Sequence, residues 1–307
     1  MAVQPQPKAR YASDLLEGQV ILVTGAGSGI GKATAIEMAH CGAKIAMYGR
    51  TLEKLEGTAR EIEAFGGEAL PIQGDTRQPE QIQNAFDIIK KQWGKLDTLV
   101  NNAGGQFVSP AKDISLKGFD AVVRNNLSAT WYMTKLAADN FFFEQGGKVV
   151  CVTALTRAPL SGYSHTVAAR AGVSALMKTL AFEWSEFGIK LNCVAPGTIL
   201  SFPKDHYPID MQSWLEADRT LVGRKGTPAD ISGAIIFLAS SLGDFMTGEE
   251  LYIDGGESFT SRPLSVIEKK YIVKVYKETG KNKTKAARVL GIGLNTLRRK
   301  LEDYKVN

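Results

Sequence analysis

The chain has 307 residues, of which 44% are hydrophobic, which suffices for one large α/β core and excludes a mostly disordered protein. Three widely separated cysteines, Cys41, Cys151 and Cys193, exclude a disulfide scaffold and predict buried reduced thiols in an intracellular, cytoplasmic protein. The net charge of +5 is uneven, because residues 264–307 hold nine Lys and three Arg against three Glu and one Asp and leave the rest acidic, which excludes a uniformly basic protein.

Changes in composition predict four segments along the chain. Residues 1–13 repeat Gln-Pro and are expected to form a flexible arm, and residues 14–260 form the body. Residues 261–265, with Arg262-Pro263, are the expected linker, and residues 266–307 are a small basic tail. The apolar run Phe141 to Phe143 is too short to span a bilayer, and no spacing of side chains predicts a metal site.

The body begins with a strand, a glycine-rich turn and a helix. Residues 19–23 are an apolar strand, 24–31 read TGAGSGIG, and a helix is predicted near Lys32. This order directs backbone N–H groups and a helix N-terminus toward a phosphate. Ala26 and Ala33 stand where a P-loop needs Gly and Ser or Thr, so no ATPase is expected. The predicted nucleotide contacts of this turn are Gly25, Ser28, Gly29, Ile30 and Gly31.

Apolar strands then alternate with helical stretches. The strands are expected to end at Gly49, Gly74, Asn101, Thr153 and Val194, with helices between them. This alternation predicts the α/β class with a doubly wound parallel sheet, followed by an all-α tail.

The end of the second predicted strand bears on the choice of cofactor. Gly49-Arg50 stands where an NAD-selective site usually has a carboxylate for the ribose 2′-hydroxyl, whereas Arg accommodates a 2′-phosphate. Arg50 therefore favours NADP(H), although it could instead serve only to solvate the next helix.

The body resembles the short-chain dehydrogenase/reductase family over its full length. TGAGSGIG at 24–31, Asp75, NNAG at 101–104, Asn126, Pro196-Gly197 and DGG at 254–256 carry the resemblance. It implies that Asp75 contacts adenine and that Asn102, Ala103, Gly104, Pro196 and Gly197 border the nucleotide. Residues 104–133 and 165–184 also resemble the peroxisomal-type trans-2-enoyl-CoA reductases, which implies an acyl-CoA pocket formed by Gly105, Gln106, Phe107, Arg157 and His165.

The chain departs from this family at the catalytic residues. Family members use Tyr-x-x-x-Lys, where the phenol transfers the proton, whereas here Thr166 and Arg170 occupy the two positions. The upstream Ser falls on or beside Thr153, Asn126 completes the degraded set, and an alternative register gives Ser174 and Lys178. Tyr163 or His165 could supply a proton instead, whereas His40 and His206 are expected on the surface or in loops. We therefore expect no efficient general acid catalysis.

The tail is predicted to form three helices. Tyr271, Ile272, Val275 and Tyr276 fall on one helical face, and Gly280 and Asn282 end that helix. Thr284 is the expected cap of the second helix, which carries Ala286, Ala287, Val289 and Leu290, and 291–293 form a tight turn. The third helix, 295–301, is expected to expose Arg298, Arg299 and Lys300.

Residues 283–304 resemble the Fis-type helix-turn-helix at the C-terminus of bacterial transcription activators. The resemblance implies that the third helix enters the major groove of double-stranded DNA, that residues 266–278 self-associate, and that the site is roughly palindromic. The predicted DNA contacts are Lys283, Lys285, Asn295, Thr296, Arg298, Arg299 and Lys300.

Three functions are compatible with the sequence. The preferred one is a regulator, a dimer or tetramer, whose reductase-like body senses an acyl-CoA with or without NADP(H) and whose tail binds DNA. The alternatives are an NADPH-dependent enoyl-CoA reductase with an oligomerisation tail, and a bifunctional enzyme and regulator.

Overall fold

A computed structural model describes residues 11–157, 159–201, 220–259, 264–304 and 306. The chain divides into two compact units, residues 1–258 and 259–307. Most of the predicted arm, His206 and residues 261–263 of the predicted linker lie outside the described residues. Tyr11, which was assigned to the arm, instead donates its hydroxyl hydrogen to the carbonyl of Gly233 at 2.9 Å.

The first unit is a seven-stranded parallel sheet with the strand order β3-β2-β1-β4-β5-β6-β7. Its strands are β1 Val20–Thr24, β2 Lys44–Gly49, β3 Ala69–Gln73, β4 Thr98–Asn101, β5 Gly147–Val152, β6 Ile189–Pro196 and β7 Glu250–Ile253. The central strands are apolar along their length because helices cover both faces of the sheet. The predicted doubly wound α/β sheet is confirmed.

Helices follow the strands in the expected alternation. They are α1 Gly29–His40, α2 Leu52–Glu63, α3 Pro79–Trp93, α4 Leu116–Val123, α5 Ala129–Ala137, α6 Phe143–Gln145, α7 Ser164–Glu183 and α8 Pro228–Ala239. A π-helical turn, Arg124–Ser128, joins α4 to α5 and contains Asn126. π-Turns within helices are frequent at functional sites. Cys41, Cys151 and Cys193 are buried free thiols, as predicted.

The second unit contains three helices around a small apolar core. They are α9 Leu264–Glu278, α10 Lys283–Leu290 and α11 Leu294–Asp303. Gly291 has a φ of +65°, a conformation that glycine adopts without strain, and it turns the chain between α10 and α11. The core consists of Ile272, Val275, Tyr276, Ala286, Ala287, Leu297 and Leu301.

Several details of the predicted tail are wrong. Tyr271 and Val289 are 56% and 57% exposed, because only part of each predicted apolar face reaches the small core. The third helix begins at Leu294 and ends at Asp303, so it is longer than predicted. The side chain of Asn282, rather than that of Thr284, caps α10 by accepting a hydrogen bond from the N–H of Lys285 at 3.0 Å.

This capping assignment leads to a direct prediction. We expect Asn282→Ala to destabilise the second unit by about 1 kcal/mol, since it removes the acceptor of an otherwise unpaired helix N–H. Thr284→Ala is the matched control and should change stability little. Hydrogen exchange of the α10 amides in the full chain measures both variants. A larger loss of protection in Thr284→Ala would contradict the assignment.

Candidate functional site

A cleft of about 370 Å³ lies at the carboxyl ends of β1, β2 and β4, at the N-terminus of α1. This is the edge of a parallel sheet where nucleotides bind in doubly wound folds. The lining includes nine of the twelve predicted nucleotide residues, namely Gly25, Ser28, Gly29, Ile30, Arg50, Asp75, Asn102, Ala103 and Gly104. Gly27, Thr51, Lys54, Leu55, Thr76, Asn125 and Ser201 also contribute and were not predicted.

The three other predicted nucleotide residues do not line this cavity. Gly31 lies just behind the loop, where an added Cβ would collide with Asn102 and with the carbonyl oxygen of Gly25. Because this close approach leaves no room for a side chain, Gly31 is needed for packing. Pro196 ends β6, and Gly197 lines a separate cavity of about 150 Å³.

The glycine-rich loop is fixed to the strand beside it by one threonine. The Oγ1 of Thr24 accepts hydrogen bonds from the N–H groups of Asn102 and Ala103 at 3.0 and 2.9 Å. The side-chain amide of Asn102 donates to the carbonyl of Thr24 at 2.9 Å. These contacts join β1 to β4 and hold the N-terminus of α1 at the floor of the cleft.

Two cations and one carboxylate line the cleft where β2 and β3 end. Arg50 is exposed at the end of β2, and Lys54 lies one turn into α2. The carboxylate of Asp75 accepts three hydrogen bonds from the guanidinium of Arg77, at 2.9, 3.1 and 2.5 Å, which lowers the pKa of Asp75. Burial opposes this shift, and the charge of Arg50 contributes to it. Asp75 is therefore ionised at neutral pH but already paired, while the two cations face the cleft.

Arg170 is the central difference from an ordinary active site of this fold. It lies on α7 with only 7% exposure and donates from Nη1 to the carbonyl of Val152 at 2.5 Å. Its guanidinium lies directly against Gly104, which lines the cleft, and beside Asn126. Burial lowers the pKa of Arg170 to about 10, so the side chain stays protonated at neutral pH.

The hydroxyl of Thr153 is committed to a network behind the cleft. It donates to Oε1 of Glu250 at 2.7 Å, and the hydroxyl of Ser174 donates to the same oxygen at 2.6 Å. Tyr252 donates to Oε2 of Glu250 at 2.8 Å. Glu250 was not predicted, because the sequence separates it from Thr153 by nearly one hundred residues. Thr153 falls on or beside the position of the catalytic serine in the family that the body resembles, and Glu250 binds its hydroxyl.

The alternative register of the catalytic pair is contradicted. Ser174 is bonded to Glu250, and Lys178 is exposed two helical turns beyond Arg170 on α7. Only the register with Thr166 and Arg170 brings a cation to the cleft.

Asn126 shapes the loop that follows β4. Its Nδ2 donates to the carbonyls of Gly105 and Val122, both at 2.8 Å, and its Oδ1 accepts from the N–H of Gly105 at 3.3 Å. The side chain is fully buried. Asn126 thus holds Gly105 at the start of the predicted ligand loop, while Gln106 and Phe107 are exposed beyond it.

Tyr163 and His165 lie at the N-terminus of α7, whereas Arg157 contacts Tyr252 on β7. His165 is fully buried, and its ring packs edge-to-face against Phe107 with centroids 4.4 Å apart. Tyr163 is the N-cap residue of α7 and is half-buried. The guanidinium of Arg157 stacks on the ring of Tyr252 at 3.7 Å and remains exposed. His40 is exposed, as predicted, and stacks on Phe65.

The second unit exposes a basic surface on α10 and α11. Lys283, Lys285, Asn295, Arg298 and Arg299 are exposed, and Thr296 is half-buried at the start of α11. Arg288 is also exposed on α10 and was not predicted as a contact.

The predicted exposure of Lys300 is wrong. Its ammonium bonds to Oε2 of Glu268 at 2.7 Å, and the hydroxyl of Tyr304 donates to the same oxygen at 3.2 Å. These bonds join α11 to α9 inside the second unit and lower the pKa of Glu268, chiefly through the bond from Lys300.

Two protein families match the chain. Residues 25–258 match the family described as Enoyl-(Acyl carrier protein) reductase, and residues 263–304 match the family described as Bacterial regulatory protein, Fis family. The chain therefore belongs to the short-chain dehydrogenase/reductase family and carries a Fis-type helix-turn-helix at its C-terminal end.

Individual relatives cover the first unit. The probable 2,4-dienoyl-CoA reductase of Bacillus subtilis is 33% identical over 81% of this chain and 100% of its own length. The L-rhamnose 1-dehydrogenase (NAD(P)(+)) of a Sphingomonas species is 35% identical over 79% of this chain and 97% of its length. A short-chain dehydrogenase of Burkholderia cenocepacia, solved with NADP, has a TM-score of 0.72 and 31% identity over 79% of this chain and 99% of that one.

The part of the chain that the structure describes contains no helix long and apolar enough to cross a bilayer. The same residues form no cluster of His, Cys, Asp or Glu that could hold a metal ion.

Proposed function

We propose that this protein is a transcription regulator whose reductase-like unit binds NADP(H) and an acyl-CoA and whose Fis-type unit binds DNA. The observation that carries the proposal is the replacement of the proton-transferring pair by Thr166 and by the buried Arg170 in a body whose nucleotide cleft is intact. A chain that keeps the binding residues and loses the catalytic ones is suited to detect a ligand. DNA binding by the basic helical unit would convert ligand binding into a change in transcription.

The choice of NADP(H) is supported by the charges in the cleft. Arg50 and Lys54 line it, and its one acidic side chain, Asp75, is paired with Arg77. A 2′-phosphate would thus meet two cations, whereas no unpaired carboxylate in the described lining would hold a ribose 2′-hydroxyl. The Burkholderia relative solved with NADP agrees with this choice.

A substitution tests the cofactor. We expect Arg50→Ala to weaken NADPH binding by about tenfold to a hundredfold and NADH binding little, because it removes a charge-assisted contact to the 2′-phosphate. Arg60→Ala is the matched control, since Arg60 is exposed on α2, the helix that follows Arg50, but does not line the cleft. Titration calorimetry with both nucleotides measures the effect. Equal losses for NADPH and NADH would contradict the proposed contact.

The acyl-CoA ligand is supported by the dienoyl-CoA reductase of Bacillus subtilis among the relatives. The L-rhamnose 1-dehydrogenase is about as similar to this chain, so a small polar sugar is the competing class of ligand. The exposed apolar side chains of Phe107 and Val108 favour the acyl ligand, because they offer apolar surface on the loop that follows Gly104, a residue of the cleft.

Regulation requires that the ligand bind one state of the protein better than another. The shift in DNA affinity is then limited by that difference in ligand affinity. Self-association would supply two DNA-binding units and fits a roughly palindromic site, because a twofold protein contacts both half-sites alike.

DNA binding by the full chain tests the proposal. Fluorescence anisotropy is measured with DNA from upstream of the protein's own gene, at two salt concentrations, with and without crotonyl-CoA and NADPH. We expect tight, salt-sensitive binding that at least one of the two compounds changes at least fivefold. DNA affinity that neither compound alters, although both bind the protein, would contradict the regulator.

A second function is favoured by one observation. The intact nucleotide cleft also suits an NADPH-dependent enoyl-CoA reductase, alone or combined with DNA binding. This alternative requires another proton donor, and Tyr163 and His165 are the candidates, because both lie within three residues of Thr166 at the N-terminus of α7.

A further inference from the structure

The imidazole of His165 holds an unsatisfied donor in a buried position. The residue is 0% exposed, and its Nε2 has no hydrogen-bond partner. A buried donor without a partner costs about 1–3 kcal/mol, so such atoms are rare in folded proteins unless a ligand satisfies them. Neither the cofactor contacts nor the Glu250 network uses this atom.

The backbone fixes which nitrogen carries the proton. The N–H of Thr166 donates to Nδ1 of His165 at 2.8 Å, so Nδ1 acts as an acceptor. In the neutral ring, the hydrogen then resides on Nε2. His165 therefore presents an N–H donor, and its natural partner is an oxygen acceptor such as a carbonyl.

The surroundings of this donor match an acyl group. The ring of Phe107 packs edge-to-face on the imidazole, yet Phe107 is 43% exposed and Val108 is 48% exposed. The N–H of Ser109 donates to the carbonyl of Gly162 at 3.1 Å, which brings this loop to the segment that precedes α7. A buried polar donor and exposed apolar side chains thus lie together at the N-terminus of α7.

We infer that Nε2–H of His165 binds the carbonyl oxygen of the acyl ligand and that Phe107 turns outward to admit it. This inference rests on the proposed acyl-CoA ligand and adds the atom that distinguishes a thioester from other CoA derivatives. Phe107 is the movable group because it lies on an exposed loop, whereas His165 is fixed in the first turn of α7. His165 acts here as a binding and specificity residue.

The test compares two ligands on the full chain. Crotonyl-CoA carries the thioester carbonyl, and its thioether analogue S-crotyl-CoA has a methylene in that place. We expect the wild-type protein to bind crotonyl-CoA about tenfold to a hundredfold more tightly, because the analogue leaves the buried donor unpaired. Equal affinities for the two compounds in the wild-type protein, or no binding of either one, would overturn the inference.

Variants test whether His165 causes the tighter binding of crotonyl-CoA. His165→Phe keeps an aromatic ring without a donor and should bind both compounds equally, whereas His165→Gln keeps an amide donor and should retain part of the preference. His40→Phe is the matched control, because His40 is an exposed histidine elsewhere in the unit, and it should behave like the wild type. The midpoint of thermal unfolding verifies that each variant is folded. A full preference in folded His165→Phe would also overturn the inference.

The results of this test can be distinguished from those of the DNA-binding test of the proposed regulator. If crotonyl-CoA binds with a preference that depends on His165 but DNA affinity stays constant, the regulator fails and the role of His165 stands. If DNA affinity responds to crotonyl-CoA and S-crotyl-CoA alike, the regulator stands and the role of His165 fails.

Discussion

Replacing Arg298 and Arg299 together by alanine is expected to reduce DNA affinity by at least about a hundredfold. Both side chains are exposed on α11, the helix that corresponds to the recognition helix of the Fis-type unit. A contact from arginine to a base is worth about 1–3 kcal/mol, and the loss of a phosphate contact lowers the salt slope by about one. The double variant should therefore bind weakly and with altered salt dependence, while binding of NADPH and crotonyl-CoA remains unchanged.

The control for this variant removes the same charge elsewhere. Lys90 and Lys91 are exposed in the last turn of α3, and their double alanine variant lowers the net charge equally. We expect its DNA affinity to stay within about twofold of the wild type, since a distant charge acts only through the screened field of the protein. If both double variants lose affinity alike, binding depends on overall charge and α11 is not the recognition helix.

Lys300 is a residue whose predicted exposure, based on helical periodicity, disagrees with its contacts in the structure. Helical spacing placed it with Arg298 and Arg299 on an exposed face, but its bond to Glu268 depends on how α9 crosses α11. That crossing is a tertiary feature, which periodicity within one helix does not encode. The cap of α10 was missed for a related reason: Asn282 was assigned to the end of the preceding helix, whereas α10 begins directly after it at Lys283.

The sheet could be predicted because its signals are local and repeated. Each strand is a short apolar run, and the turns and helices between strands follow at regular intervals, so the ends of β1 to β6 were predicted to within one or two residues. The glycine-rich loop could also be predicted, since Gly31 must be small to pack against Asn102. The position of Arg50 followed from the end of β2.

The rest of the candidate site depends on contacts between distant parts of the chain. Lys54 reaches the cleft only because α2 returns along β2, and Glu250 binds Thr153 and Ser174 only because β7 lies beside β6. Likewise, the unpaired Nε2 of His165 could not be inferred from the residue type. Most buried histidines have hydrogen-bond partners, and only the contacts around the folded ring show that Nε2 has none.

With NADPH and a panel of enoyl-CoA and 2,4-dienoyl-CoA substrates, we expect turnover of the dienoyl-CoA compounds to be about 10²–10⁴-fold slower than by the Bacillus subtilis relative assayed in parallel. This range is the usual contribution of a positioned general acid, which Thr166 cannot replace because an aliphatic hydroxyl does not release its proton near neutral pH. Arg170 cannot assist as lysine does, since it stays charged and its guanidinium is fixed between Val152 and Gly104. The nearby hydroxyl of Thr153 is bonded to Glu250.

The assay follows loss of NADPH absorbance and is paired with direct measurement of NADPH binding. Bound NADPH with little turnover is the expected combination, because the cleft is intact while the proton donor is missing. The Arg298→Ala, Arg299→Ala variant should show the same rate, since the two sites are chemically independent. Turnover of about 1–10³ s⁻¹, the ordinary range for enzymes, would instead establish a reductase. In that case, abolition of turnover by His165→Gln or by Tyr163→Phe would identify the donor that replaced the family's tyrosine.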